Sequence, residues 1–187
     1  MDAKFKSITQ PFSNMIHING EEYLYFGGTA YLGIPQNAEF VQLYIDGIKK
    51  FGLNNGTSRS NNIQLGIYDE AEKIAAKRFK ADEALITSSG YLAAQLSVKA
   101  LSKSGKVIYA PATHPALWLE NQSNNLISFR DWATKTTQSI NSSTEKNWVL
   151  ISNSMNNLIP EIYNFNFVKD INEDKNIILI VDDYHGI

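Results

Sequence analysis

The chain has 187 residues, 43% of them hydrophobic and 19% charged, with a formal net charge of −2 and no cysteine. That composition is globular. It excludes disulfides and thiolate metal sites, and it lacks the basic footprint of a nucleic-acid binder. No apolar run approaches the ~20 residues that span a bilayer, and Met1–Ser7 has no apolar core of a signal peptide. A soluble cytoplasmic protein without membrane or nucleic-acid partners is the expectation.

Residues 1–22 are polar and mixed, and read as an N-terminal arm that crosses the surface or reaches a partner. Tyr23-Leu24-Tyr25-Phe26 signals a short strand stopped by Gly27-Gly28. Tyr31-Leu32-Gly33-Ile34-Pro35 turns into a helix with Phe40, Val41, Tyr44, Ile45, Ile48 and Phe51 on one face, closed by Gly52. A polar loop, 53–66, contains Gly56-Thr57-Ser58-Arg59. A second amphipathic helix follows through Phe79.

Ala84-Leu85-Ile86-Thr87 reads as a short buried strand, and Ser88-Ser89-Gly90-Tyr91 turns it into a helix, Leu92 to Leu101. Further strands are expected at Lys106–Tyr109, Leu126–Phe129 and Trp148–Ile151. Residues 130–146 are polar and helical at best, and 165–175 could form a helix. The last strand, Asn176–Val181, is an aliphatic run suited to burial on both faces, and it ends in Asp182-Asp183-Tyr184-His185. Alternation of strand and helix from residue 84 onward argues for a mainly parallel α/β sheet, with no domain boundary inside the chain.

Ligands in such sheets sit beyond the carboxyl ends of the strands. Asp182 and His185 follow a strand at a spacing that lets both face one site, where a carboxylate can hold a positive charge. A capping Asp and a core histidine are the plain alternative. Ser89-Gly90-Tyr91 opens a helix, so its free N–H groups suit a phosphate, although Ser89 could equally be an N-cap alone. His114 follows a strand and has a flat imidazole able to stack on an aromatic cofactor. Arg59 could bind an anion, but tying down its own loop is the favoured role. His17, His114 and His185 show no metal-ligand spacing.

Seven short motifs in this order resemble the α-oxoamine synthase family, fold-type I enzymes that use pyridoxal 5′-phosphate (PLP). Tyr31-Leu32-Gly33 is similar to the family's Asn-Asp-Tyr-Leu-Gly-Leu, and Gly56-Thr57-Ser58-Arg59 resembles Gly-Gly-Ser-Arg. Tyr68-Asp69-Glu70-Ala71-Glu72 stands where His-x-x-Leu-Glu is expected. Ser89-Gly90-Tyr91-Leu92-Ala93-Ala94 resembles Ser-Gly-(Phe/Tyr)-x-Ala-Asn, and Thr113-His114-Pro115-Ala116-Leu117 resembles Asn-His-Ala-Ser-Leu. Ser154-Met155 looks like the start of Ser-Met-Asp-Gly-Asp, and Val181-Asp182-Asp183-Tyr184-His185-Gly186 looks like Val-Asp-(Asp/Glu)-Ala-His-Gly.

The resemblance implies the major domain of a fold-type I transferase over 23–187, a mainly parallel sheet with flanking helices, incomplete at its C-terminal side. It implies condensation of an amino acid with an acyl-CoA or acyl-carrier thioester, with loss of CO₂, in a homodimer. Gly90 and Tyr91, with Ser89 beside them, would bind the cofactor phosphate, and His114 would stack on the ring. Asp182 would pair with the ring nitrogen. His185 and Ser154 would hydrogen-bond the phenolic oxygen.

Departures from the family pattern are Tyr68 for the histidine, Asn156-Asn157-Leu158 for Asp-Gly-Asp, and no acidic residue in Trp148–Ile151. The family's Schiff-base lysine lies downstream of the Asp-x-x-His motif, and Lys175 is the last lysine here. The expectation is an N-terminal piece of a longer enzyme. An aminotransferase or aldol-type lyase on the same fold, and a non-catalytic truncated homologue, are the alternatives.

Overall fold

The computed structural model describes residues 3–6, 8–28, 31–54, 56–120, 127–156 and 159–184. They fall into two compact units, 1–74 and 75–187.

The first unit opens with a hairpin of β1, Met15–Ile18, and β2, Glu21–Leu24, paired from Met15–Leu24 to Ile18–Glu21. The strand expected at Tyr23–Phe26 therefore lies two residues earlier, and a partner strand stands inside the segment read as a polar arm. Asn19 and Gly20 make the turn at φ 53° and φ 83°. That doubly left-handed geometry suits a two-residue hairpin loop. Ile16 and Ile18 point to the buried face.

Helix α1 spans Ala38–Phe51 as expected. The Asn37 side chain accepts from the Phe40 amide at 2.9 Å. Gly52, at φ 85°, donates its amide to the Ile48 carbonyl at 2.8 Å. Both ends of the helix thus have their orphan groups satisfied. No residue of α1 is buried; its apolar stripe is open, with Tyr44 68% exposed. Helix α2, Ile67–Phe79, starts in this unit and likewise has no buried residue. Arg59 bonds Glu72 at 2.8 Å and lies over the Tyr68 ring, 4.5 Å from its centroid. Arg59 thus ties its loop to α2, the role the sequence favoured.

The second unit is a three-layer α/β arrangement. Strands β3, Lys106–Tyr109, β4, Asn147–Asn153, and β5, Asn176–Asp182, form a parallel sheet in that order. β4 is central, pairing Lys106–Trp148 through Tyr109–Ile151 on one side and Asn147–Asn176 through Asn153–Asp182 on the other. Its side chains alternate between two covered faces, which explains the unbroken run Trp148–Ile151. Val149 and Ile151 pack with Val98 of α3, Gly90–Leu101, and with Leu117 and Ile180. Trp148 and Leu150 pack with Ile140 of α4, Phe129–Ser142, and with Ile171. Each fully buried aliphatic side chain stabilises by about 1.5–3 kcal/mol before the entropy cost of ordering it.

Three expectations need correction. Ala84–Thr87 forms no strand: it finds no ladder partner among the described residues, and Leu85 is 71% exposed. The strand expected at Leu126–Phe129 is instead the entrance to α4. The Ser128 hydroxyl caps it by accepting from the Asp131 amide at 3.0 Å, and 121–126 lie outside the described residues. The region 165–175 forms only a 3-10 turn, Phe165–Asp170. β5 is also less buried than its aliphatic run suggests. Only Ile180 is buried and Val181 is 39% exposed, because β5 has one ladder neighbour among the described residues.

Candidate functional site

The expected site residues of the second unit gather at the carboxyl ends of the three strands and the start of α3. Each is placed by local geometry that its own sequence explains.

β3 ends at Tyr109, and the Ala110 amide makes one last bond to the Ile151 carbonyl at 2.8 Å before the chain turns away. Ala112 adopts a left-handed φ of 54°, and the chain then enters a 3-10 turn, Pro115–Leu117. His114 is the N-cap of that turn: its Nδ1 accepts from the Ala116 amide at 3.2 Å. A backbone N–H directed at Nδ1 leaves the proton of the neutral ring on Nε2. The ring itself is exposed.

The turn is fastened on several sides. The Gln95 side chain of α3 donates to the Ala116 carbonyl at 2.6 Å and to the Trp118 carbonyl at 3.1 Å. The Trp118 indole N–H donates to the buried Thr113 hydroxyl at 3.0 Å, and the Tyr109 hydroxyl donates to the Leu117 carbonyl at 3.2 Å. Thr113 stands where the resembling family has Asn, and it serves here as an acceptor for the indole.

β4 ends in Asn153, which is 3% exposed. Its Oδ1 accepts from the His114 amide at 3.1 Å, and its Nδ2 donates to the Ala112 carbonyl at 2.8 Å. Sequence reasoning passed over this residue. The signal was available: a lone Asn closing a run of aliphatic residues must satisfy its amide where it is buried.

Ser154 follows, with its amide donating to the Asp182 carbonyl at 2.8 Å and its carbonyl accepting from the Tyr163 amide at 2.9 Å. Tyr163 is held by a parallel stack on Phe129, centroids 4.0 Å apart at 5°. Burial raises its phenol pKa above the usual value, with the Glu161 charge acting in the same direction.

Asp182, half-buried, is the last residue of β5 and lies opposite Asn153 in the ladder. Its Oδ1 accepts from the Tyr184 amide at 3.2 Å, closing a small Asx turn. The Tyr184 ring comes back over α3: a Cβ on Gly90 would stand 3.7 Å from it. The chain after β5 thereby meets the start of α3. There the Ser89 hydroxyl accepts from the Leu92 amide at 3.2 Å and the Ser89 carbonyl from the Ala93 amide at 3.1 Å. Gly90 and Tyr91 hold the first two helical N–H groups, which precede any intrahelical acceptor. The Tyr91 side chain is exposed.

Ser89, Gly90, Asp182 and Ser154 are thus brought together, and His114 is tied to the same strand ends through Asn153. His185 lies outside the described residues. Arg59 is in the first unit, on its own partners. Lys175 is fastened at the other end of β5, donating to the Ser143 and Glu145 carbonyls at 2.6 Å and 3.1 Å. It precedes the strand that Asp182 closes. The length of that strand separates the two by roughly 20 Å, at ~3.3 Å per residue. Among the described residues, no cluster of three or more His, Cys, Asp or Glu could hold a metal, and no helix is long and apolar enough to cross a membrane.

No family model matches the chain. It is 23% identical over 179 residues to 8-amino-7-oxononanoate synthase of Buchnera aphidicola subsp. Baizongia pistaciae, covering 94% of this chain and 47% of that protein. The protein of the same name from Nitrosospira multiformis is 24% identical over 185 residues, covering 96% and 46%. That of Lysinibacillus sphaericus reaches 30% over 99 residues, covering 53% and 25%. The chain therefore spans about half, or less, of the length of these curated relatives. Among solved structures, serine palmitoyltransferase from S. paucimobilis with a bound PLP–myriocin aldimine superposes with a TM-score of 0.74 at 17% identity, covering 97% of this chain and 49% of that one. The Sphingomonas wittichii serine palmitoyltransferase gives 0.71 at 15%, covering 91% and 44%. These superpositions establish the fold as that of fold-type I enzymes. Along nearly its whole length the chain is similar to proteins named 8-amino-7-oxononanoate synthase, and its motifs stand in the order of the α-oxoamine synthases that it resembles.

Proposed function

We propose that this chain supplies the cofactor cradle of a PLP-dependent acyltransferase that condenses an amino acid with an acyl thioester and releases CO₂. The observation that carries the reading is the meeting of Asp182 with the opening of α3, made by the contact of Tyr184 on Gly90.

The residues present fit PLP in chemistry and in placement. The first N–H groups of α3 and the positive end of its dipole suit a phosphate. A Cβ on Gly90 would stand 3.7 Å from the Tyr184 ring, so a glycine keeps the backbone open there. Asp182 presents a half-buried carboxylate able to hold a proton on a pyridine nitrogen. Bound PLP would supply an electron sink for the pair left at an amino acid's Cα.

This chain's own residues bind and orient. Gly90 and Tyr91 hold the phosphate through their amides, with Ser89 fixing the helix end. Asp182 keeps the ring nitrogen protonated, and His114 covers the ring face with a flat neutral imidazole. Ser154, together with His185, hydrogen-bonds the phenolic oxygen. The division into an arm, 1–22, and a cofactor-binding portion, 23–187, belongs to the same reading, as do a homodimer and a cytoplasmic location. The relatives' names support the amino acid and acyl thioester as substrates.

Titration of the intact protein with PLP tests this. Binding with a shifted cofactor absorbance, lost in Asp182→Ala, is the expected result. No PLP binding in a folded protein overturns it. Product analysis with an amino acid, with and without an acyl-CoA, separates acyl transfer from transamination and aldol cleavage.

A further inference from the structure

One residue that holds the backbone of His114 is not in any of the motifs. Asn153 is buried, and both ends of its amide are engaged with the loop after β3: Oδ1 with the His114 amide, Nδ2 with the Ala112 carbonyl. Only a group carrying both an acceptor and a donor in one plane can serve the two, and the two partners fix which way the amide faces. A buried polar group so paired specifies one arrangement, since any other leaves it unsatisfied.

The loop itself needs holding. Ala112 sits at a left-handed φ of 54°. That conformation is disfavoured for a residue with a Cβ and persists where surroundings impose it. The other side-chain bonds described above tie the loop to α3, to the end of β3 or to itself. The Asn153 pair ties it to β4. Asn153 is also the ladder partner of Asp182, and the next amide, Ser154, bonds the Asp182 carbonyl. One buried side chain therefore links the backbone under the imidazole to the strand end that carries the carboxylate.

We infer that Asn153 is a positioning residue that sets His114 relative to Asp182, acting through the Ala112 and His114 backbone. What His114 does with that position rests on the proposed PLP site; the clamp itself does not.

The test uses the intact protein and compares wild type with Asn153→Leu, which keeps the branched skeleton and removes the amide, and Asn153→Asp, which keeps an acceptor for the His114 amide. Without PLP, the Leu variant is expected to speed hydrogen exchange of the His114 amide roughly tenfold, the loss of about one hydrogen bond, with β4 amides still protected. The Asp variant is expected to stay close to wild type at that amide. With PLP, the Leu variant is expected to bind the cofactor with a weakened induced circular dichroism. Unchanged His114 exchange in a folded Leu variant overturns the clamp. Faster exchange with unaltered cofactor dichroism overturns its positioning role. If the Leu variant does not fold, scalar coupling in the wild type between the His114 amide nitrogen and the Asn153 side-chain carbonyl decides: its presence supports the clamp and its absence overturns it. Failure of wild type to bind PLP sinks the proposed function while leaving the exchange result standing.

Discussion

Ser154 donates its amide to the Asp182 carbonyl at 2.8 Å, extending the β4–β5 ladder one step past its last pair, Asn153–Asp182. The backbone of Asp182 is thereby fixed independently of its carboxylate. Asp182→Asn should leave the fold intact, because the ladder remains and an amide oxygen can still accept from Tyr184. It removes the charge proposed to keep a pyridine nitrogen protonated. PLP affinity of the intact protein should fall by roughly ten- to a hundredfold, the range for losing a charge-assisted bond. Equal melting temperatures with unequal PLP titrations are the expected pair of results.

Ser89 has two roles that substitution can separate. Ser89→Ala removes the hydroxyl that accepts from Leu92. Losing that cap should cost about 1 kcal/mol of stability. Ser89→Asp preserves a good cap but brings a negative charge to the proposed phosphate site. It should unfold like wild type in denaturant and bind PLP more weakly. Equal PLP binding by Ser89→Asp and wild type would place the phosphate elsewhere.

Gly105 lies against the peptide that opens β4. A Cβ there would stand 2.5 Å from both the carbonyl carbon and oxygen of Asn147. Its φ of −178° is ordinary extended backbone, so contact and not dihedral strain demands the glycine. Gly105→Ala should destabilise by about 2 kcal/mol or more, since backbone must move. Gly47, inside α1, meets nothing within 4 Å. Gly47→Ala should therefore stabilise the helix by up to about 1 kcal/mol. Denaturant unfolding of the two variants should move in opposite directions.

Tyr163 gives the alkaline limb of stability. Its neutral form is favoured in the folded state, so its pKa there is raised above the ordinary 10.0. That contribution is complete below the ordinary value and is lost as pH rises through the folded one. Tyr163→Phe should flatten the stability loss on the alkaline side of that value. An identical alkaline profile in the two proteins would count against the buried phenol. Glu145 acts oppositely: bonds from the Asn147 and Lys146 amides lower its pKa from 4.5. Its contribution exists above that value and fades as pH falls below it.

Elements whose signal is local were legible. α1 announces itself by an apolar period and a Gly stop, and both are present; the Asn37 cap is added by the structure. β4 is readable because its stretch covered on both faces, Trp148–Ile151, is apolar at every position. Ala84–Thr87 and Leu126–Phe129 carried the same aliphatic signal without the decisive partner. A strand exists only in a ladder, and Ser128 with Asp131 offered a helix start instead. The hairpin at Asn19-Gly20 escaped notice although that dipeptide is the strongest short-range hairpin signal, because the flanking segment reads as polar and mixed. In the site, the strand-end residues were legible from order and motif. Asn153 was passed over: its place after an aliphatic run marks a buried amide, but not its partner His114, which lies 39 residues earlier.

The sheet's spatial order, β3-β4-β5, is also its order along the chain. Growth from a ribosome can therefore proceed by adding each strand to the edge left by the one before, with no later strand inserting between two earlier ones. β3 alone has only four residues, and its ladder partner β4 emerges later, so the central strand is the point at which the sheet becomes possible. Asp182 comes at the far end of β5, the third of these strands to emerge. The carboxylate arrives only once the scaffold that must hold it is in place.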